Sequence, residues 1–364
     1  MADPVKHYQS EGHDALSAIS QAQRIAFAPM LFQASWCLRE IGVLAYLEDR
    51  GKEGATTAEI ASHCAIGEYG AGVLLDMGLG GGLCHLVGDH YVLGKVGKYL
   101  QNDPMTRVNM DFTQHVCYQP LAHLLDAIRA GKPEGLQVFN PEWATIYPHL
   151  DALPEPARAS WFAFDHFYSD WAFQQAQEHV LGYAPRTLYD VGGNTGKWAL
   201  SCAARDPELE VTILDLPEQL ALAQPRIEAA GMTARVTGHG VNMLDAEGPL
   251  PGEADIWWMS QFLDCFSHAQ IVVILKRIRQ HMKPGARVCI LELFWDRQSF
   301  EAASFSLNAT SLYFTAIANG NSRFYHSKEM YQCLREAGFH VEAEHEIPGP
   351  GHTLLVARPL PQPS

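Results

Sequence analysis

Basic residues are scarce: 26 Lys and Arg against 41 Asp and Glu leave a formal charge of −15 over 364 residues. A surface of that sign repels phosphate backbones and anionic lipid, so neither nucleic acid nor a membrane is an expected partner. No run approaches the roughly 20 uninterrupted apolar residues that a membrane span needs. Residues 1–6 lack the charged-then-apolar layout of a secretory signal. Paired cysteines are missing too, since no two of the eight (37, 64, 84, 117, 202, 265, 289, 333) form C-x-x-C. Several sit in apolar runs, as Cys289 does. Scattered thiols of this kind fit a reducing compartment, so the cytoplasm is expected, without disulfides or a zinc site. The 17 histidines include no H-E-x-x-H and no tight Cys/His cluster, and no metal is expected. What is present is ordinary globular composition, 47% hydrophobic and 18% charged, which excludes a largely disordered chain. The length exceeds what one compact core usually holds and points to about two domains.

The second half alternates short β-rich runs with helix-length amphipathic ones. Residues 187–191, 209–214, 254–259 and 287–293 read as strands, with helices near 196–205, 217–231 and 268–283. Such alternation gives an α/β domain whose parallel sheet has helices on both faces. Ser267 and Gln270 form a capping box at the start of the third helix, and residues 283–285 (Lys-Pro-Gly) stop it. A further helix over 327–338 precedes runs 340–347 and 352–358, a hairpin at the sheet edge. The residues from Pro359 to the end read as a frayed tail.

The first hundred residues are helical. Residues 41–47 continue a helix, Thr56 and Glu59 open another with capping-box spacing, and 68–78 suggests a third. A glycine-rich turn over 78–82 then leads into runs 83–87 and 91–93, like the wing of a winged helix. Between Thr56 and Leu100 the only basic side chains are Lys95 and Lys98, too few for the phosphate contacts on which DNA affinity rests. The competing use of such a module is dimerisation, and Ile25, Phe27, Met30, Leu31, Phe32, Trp36 and Leu38 carry more apolar surface than one face needs. A homodimer is expected. From about 107 to 181 the chain is mostly helical, with aromatics dense over 161–173.

The sharpest signal is Leu188-Tyr-Asp-Val-Gly-Gly-Asn-Thr-Gly196, a strand ending in Asp190 and a tight glycine turn into a helix. A dinucleotide fingerprint started at Gly192 or Gly193 finds Asn194 and Lys197, or Thr195 and Trp198, where glycines are required. A P-loop ending at Lys197 finds Val191 and Trp198 at its other positions. Both fail. What remains is acidic-x-Gly-x-x-x-Gly, followed by Asp215 at the end of the next strand, a side chain able to accept from two ribose hydroxyls. The plain alternative for both acids is a strand-end or helix-capping role.

On these residues the sequence resembles the plant caffeate-type and bacterial small-molecule O-methyltransferases that use S-adenosylmethionine. The resemblance spans nearly the whole chain: the winged region, the helical middle, Asp190 to Gly196, Asp215-Leu-Pro217, residues 240–244, Ala254-Asp255, residues 283–285, Glu292 and residues 336–339. It implies a class I methyltransferase sheet over about 182–364, a dimerisation domain over 1–105 and a helical substrate lid over 106–181. It also implies that Gly192 and Gly193, beside Asp190, contact the methionine part of the cofactor. Asp215 and Leu216 would meet the ribose, Asn242 and Met243 the adenine, and Ser260 and Gln261 the cofactor's other side. The family usually has Asp where Asn242 stands, and some members carry a basic residue at the place of Ser260.

Methyl transfer is an in-line displacement from a cationic sulfur, so the protein must hold the acceptor, exclude water and remove a proton. The family's base is a His in a Leu-His-Asp-Trp segment; here that position falls on Asp264. A free Asp near pKa 3.9 faces a phenol near 10, a gap of about six units or roughly 8 kcal/mol. Apolar Phe262, Leu263 and Phe266 would raise the Asp pKa and shrink it. Asp264 has three readings: a desolvated general base, a group that only orients the acceptor, or a turn acid ahead of the Ser267 cap. Glu292 matches a glutamate that flanks the family's base, while a second such glutamate falls on Ser322 and is absent. His166 and His268 are further base candidates, though a histidine beside a helix start is more often a surface or core residue.

The acceptor pocket is expected among aromatics: Phe164, His166, Phe167 and Tyr168 on the lid helix, with Phe314 and Ile317 on the opposite wall. Their content suits a flat, small aromatic and phenolic substrate, methylated at oxygen or, alternatively, at a ring carbon of a free or carrier-bound precursor. The rival readings are a winged-helix regulator that kept the cofactor fold and a family member without methyl transfer.

Overall fold

A computed structural model describes residues 8–349 and 351–361. The chain divides into two compact units, Glu11–Gln114 and the residues from His115 onward, with 8–10 grouped in the latter. Among the described residues no helix is long and apolar enough to cross a membrane.

In the first unit, α1 (Ala15–Ala26), α2 (Ala28–Glu40), α3 (Val43–Arg50), α4 (Thr57–His63) and α5 (Glu68–Gly80) precede a hairpin, β1 (Cys84–Val87) and β2 (His90–Leu93). Helices α6 (Lys95–Asn102) and α7 (Pro104–Phe112) follow. Residues 41–47 do not simply continue the preceding helix. Gly42 takes φ +90, a left-handed conformation that a side chain penalises, so the helix stops and α3 begins anew. Gly78 and Gly80 likewise lie inside α5, and only Gly81 and Gly82 make the turn. A Cβ on Gly78 would stand 3.2 Å from Leu38 Cδ1, so its glycine permits close packing of α5 on α2. The predicted capping box of Thr56 and Glu59 is formed in both directions. Leu38, Leu44, Leu47, Ile60 and Leu75 make the core of this unit.

The second unit opens with short helical pieces, among them α8 (Leu124–Ala130), and then the 25-residue α9 (Ala157–Leu181). Its sheet runs β5-β4-β3-β6-β7-β9-β8. The first five strands are parallel: β3 (Thr187–Val191), β4 (Glu210–Asp215), β5 (Val236–Gly240), β6 (Ile256–Ser260) and β7 (Arg287–Leu293). The edge hairpin β8 (Phe339–Ile347) and β9 (His352–Pro359) pairs antiparallel, as its turn chemistry predicts. Helices α10 (Lys197–Arg205), α11 (Pro217–Ala229), α12 (His268–Gln280), α13 (Glu301–Tyr313) and α14 (Ser327–Glu336) complete it. Strand β5 has no counterpart in the sequence reading. Its Val-Thr-Gly-His-Gly run holds two glycines and lacks the β-branched density that marks a strand.

The sheet separates two cores. Leu188, Ile256, Trp258, Leu291 and Leu354 face Ala172, Ala176 and Val180 of α9 and Trp198 of α10. Tyr189, Val191, Trp257, Met259 and Ile290 face Ile271 and Leu275 of α12 and Leu334 of α14. Trp198 stacks on Trp258 with ring centres 3.7 Å apart. Strands β3, β6, β7 and β9 are therefore buried on both sides, the pattern of a sheet sandwiched by helices. The parallel strands all end at one edge, where their last residues meet loops.

Candidate active site

Strand order reverses between β3 and β6, one leading to β4 and β5 and the other to β7. Open parallel sheets bind ligands outside the carboxyl ends of the strands at such a switch point. Asp190, Asp215, Ser260 and Glu292 all stand there.

Asp190 is 2% exposed, and its Oδ2 has no hydrogen-bond partner among the described residues. Burial, with Asp215 nearby, pushes its carboxyl up to about 8. Gly193 lies against it: a Cβ there would come within 2.6 Å of Asp190 Oδ2. Gly192 has φ +73, and a Cβ would strike the Phe262 ring at 2.2 Å. Both glycines are thus required by contacts as well as by the turn. Asp215 accepts from the N–H of Asn194 at 2.8 Å and of Leu216 at 2.7 Å, and burial still moves it up to about 6. Four lone-pair directions on a carboxylate leave it able to accept further donors.

Asn194 Oδ1 and Ser260 Oγ are also buried without a partner among the described residues. An orphaned buried polar atom costs about 1–3 kcal/mol. Three of them at one strand edge mark a place built for a polar ligand rich in donors. Asn242 is exposed, and its Oδ1 accepts from the Leu244 N–H at 2.9 Å, while Met243 is buried in the core beneath. Gln261 takes φ +46 just after β6 and bonds through Oε1 to His352.

On the far side of Phe262, a short turn over Leu263–Cys265 carries Asp264, 4% exposed. Desolvation, with Asp165 nearby, lifts its carboxyl to about 7, although the Cys265 thiol donates to Oδ1 at 3.5 Å. Glu292 accepts from the N–H groups of Phe262 (3.2 Å) and Leu263 (2.9 Å) through Oε1, and its Oε2 has no partner among the described residues. Burial and Asp264 push the Glu292 carboxyl well above the usual range. Half-buried Tyr147 and buried Tyr313 lie close to Cys265, and Trp161 Nε1 donates to the Tyr313 hydroxyl at 2.7 Å.

Helix α9 reaches the glycine turn through Asp165, whose Oδ2 accepts from Asn194 Nδ2 at 3.4 Å. Trp161, Asp165, Tyr168 and Ala172 share that face at three- and four-residue spacing. Phe164 packs on Tyr168 with ring centres 5.0 Å apart, and His166 stacks over Phe162 at 6.3 Å. Phe167, two residues beyond Asp165, projects from roughly the opposite side of the helix. His268 is not part of the crevice cluster: its Nε2 pairs with Glu336 of α14 at 3.3 Å. Phe314 and Ile317 are buried in a π-helical turn over Phe314–Ala318, where Phe314 packs edge-on against Phe324. The sequence reading missed Asp165, Tyr147, Cys265 and His352. Asp165 lay within the aromatic stretch but carried no signal of its own, and nothing local marks Tyr147. Among the described residues no group of three or more His, Cys, Asp or Glu is placed to hold a metal ion.

Residues 177–340 match the O-methyltransferase domain, and residues 20–91 match the Dimerisation2-like domain. The chain carries an O-methyltransferase domain and is a methyltransferase. The methyltransferase is 23% identical to the L-tyrosine C(3)-methyltransferase of Streptomyces lavendulae, over 92% of this chain and 91% of that one. It is 30% identical to the 3-hydroxy-5-methyl-1-naphthoate 3-O-methyltransferase of Streptomyces sahachiroi, over 47% of this chain and 48% of that one. The S-adenosylmethionine-dependent methyltransferase SibL, solved in its apo form, shares the fold at TM-score 0.71 and 23% identity, covering 94% of this chain and all of that one. Other solved structures of this fold carry S-adenosylmethionine or S-adenosylhomocysteine. The methyltransferase's cofactor is S-adenosylmethionine, and the orphaned acceptors at Asp190, Asn194 and Ser260 fit its ammonium and hydroxyl donors.

Two expected outcomes follow from this geometry. Gly193→Ala would drive a methyl group into the Asp190 carboxylate and weaken S-adenosylhomocysteine binding by more than about tenfold at near-normal Tm; an unchanged calorimetric Kd would refute the close approach. Asp190 and Asp215 sit above the 3.8 of an exposed aspartate, so the folded, ligand-free protein holds protons that the unfolded chain has released. Their contribution to stability is present below about pH 4 and is lost as pH rises through about 6 and then about 8. A cationic ligand favours their ionised forms. The Tm gain from S-adenosylmethionine should therefore grow between about pH 5.5 and about pH 7.5, and a pH-independent gain would contradict it.

Proposed function

We propose that this methyltransferase methylates a small hydroxyaryl metabolite with Asp264 as general base, the reading carried by the buried Asp264–Glu292 pair at the end of β6 and β7. When bound, S-adenosylmethionine supplies a methyl group on a cationic sulfur. The chain's own residues do the rest. Gly192 and Gly193 let the backbone approach the methionine part beside Asp190, while Asp215, with Leu216, meets the ribose. Asn242 and Met243 line the adenine, and Ser260 and Gln261 the opposite side. A base at about 7 faces a phenol near 10 across about three units, roughly 4 kcal/mol in place of 8. Proximity and exclusion of water cover a gap of that size. Glu292 anchors the backbone on which Asp264 is mounted. Phe164, His166 and Tyr168 of α9, with Phe314, supply the aromatic wall.

The relative that aligns along most of the chain acts on a ring carbon of tyrosine. That favours C-methylation beside a phenol as the second reading, since the same base generates the phenolate that reacts at carbon. Incubation with labelled cofactor and a panel of hydroxyaryl acids, followed by NMR of the product, separates oxygen from carbon. Asp264→Asn should lower kcat at least about 100-fold with cofactor Kd unchanged, and the wild-type kcat should rise through about pH 7 as Asp264 ionises. Full turnover by this variant would remove the base assignment, and no labelled product from any acceptor would favour a member without methyl transfer.

The first unit we read as a winged-helix-type dimerisation domain. Its match to the Dimerisation2-like domain is joined by exposed Ile19, Ile25, Phe27 and Met30. A groove of about 360 Å³ lined by Phe27, Met30, Leu31 and Met77 lies on the same surface. These support a homodimer. Sedimentation should give twice the chain mass, and Ile25→Asp with Met30→Asp should give the monomer; a monomeric wild type would refute it. All eight cysteines are free, which supports residence in the reducing cytoplasm.

A further inference from the structure

Strand β9 begins at His352, opposite Leu293 of β7. Its side chain lies on the sheet face that also carries Leu354 and Val356 and packs against α9. The ring is 1% exposed. Nε2 lies 3.0 Å from Gln261 Oε1, and Nδ1 has no partner among the described residues. Burial holds the imidazole neutral, with its pKa pushed down to about 3. A neutral ring has one N–H, and an amide oxygen only accepts, so Nε2 carries the proton and donates to Gln261.

Gln261 is constrained from several directions. It holds a left-handed φ of +46, and its own N–H donates to Leu291 O at 3.0 Å. Non-glycine residues persist in that region only where the surroundings over-determine them, most often at functional sites. The chain leading into His352 is held as well. Buried Gln298 donates through Nε2 to Phe294 O at 2.9 Å and to Gly351 O at 3.0 Å. A Cβ on Gly351 would stand 2.3 Å from Gln298 Oε1, so that residue must be glycine for the anchor to form. A continuous set of bonds therefore runs from the end of β7, through the hairpin, to the first residue after β6.

We propose that His352 is a positioning residue for cofactor binding: by taking the Oε1 end of Gln261 it leaves the NH2 end as a donor for bound S-adenosylmethionine. This rests on the reading that Gln261 lines the cofactor. In this arrangement the Oε1 end of the Gln261 amide faces His352 and its NH2 end faces away. A donor on the sheet side of the crevice complements the acceptors at Asp190 and Asn194, matching a ligand that brings both kinds of group.

The test uses side chains that imitate one ring nitrogen at a time. Glutamine at position 352 places an amide near the Nε2 site, whereas asparagine places one near Nδ1. Calorimetry with S-adenosylhomocysteine should find His352→Gln within about twofold of the unaltered protein. His352→Asn and Gln261→Leu should each weaken binding by about tenfold, and the double variant should be no weaker than either alone. Equal losses for His352→Gln and His352→Asn would overturn the proposal, and so would additive losses in the double variant. A loss confined to His352→Gln would show instead that Nδ1 meets the ligand directly, and would overturn it too. Should His352→Asn fail to fold, Gln261→Leu stands alone, and an unchanged Kd there overturns the proposal. Absence of any binding by the unaltered protein would remove the cofactor reading, and this inference with it.

Discussion

Carboxyl groups kept away from water are the constraint on which this crevice depends. Asp190 is nearly inaccessible, and its charge is disfavoured until something cationic or donor-rich arrives. The surrounding features follow from holding that group in place. Gly193 has no side chain because one would occupy the carboxylate's position, and Gly192 has none because the Phe262 ring passes over it. The Trp198–Trp258 stack seals the sheet face just below. Water is kept out by large, flat, close-packed rings, and the same exclusion that makes ionisation costly makes an incoming partner worth more.

The acid side of the crevice obeys the same rule with a different outcome. A lone aspartate would be a weak base for a phenol, as its ordinary pKa requires. Desolvation changes that, with Asp165 nearby. Two neighbouring carboxyls in a dry site cannot both ionise easily, and both are held above the usual carboxylate range. On the proposed reading, an aspartate at the place of the family's histidine is brought closer to a usable base by its burial. Helix α9 contributes to those surroundings through Asp165, which touches the glycine turn and also disfavours charge on Asp264. Cofactor crevice and acceptor side are in this way joined by one residue of the overlying helix.

Much of the α/β unit was legible because its signals are local. Four strands show apolar density, the Ser267–Gln270 box announces a helix start, and the Pro-Gly run marks the hairpin. The elements that escaped had local chemistry at odds with their role. Strand β5 is held as an edge by β4 despite two glycines, and the break at Gly42 is a single φ value inside an apolar helical pattern. His268 was a base candidate despite its place at a helix start, and the partner of its ring, Glu336, lies 68 residues later.

By itself, the order of residues determined that a glycine turn follows a strand ending in an acid, that a second acid ends the next strand, and that phosphate-binding patterns fail. Those are statements about neighbours along the chain, and short-range sterics and hydrogen bonding decide them. Only the tertiary structure decided which groups lose water together. Asp165, Asp264, Glu292, Gln261 and His352 come from four separated stretches, and their ionisation and hydrogen bonding depend on burial and on one another. Desolvation is a property of packed volume, and no window of sequence contains it.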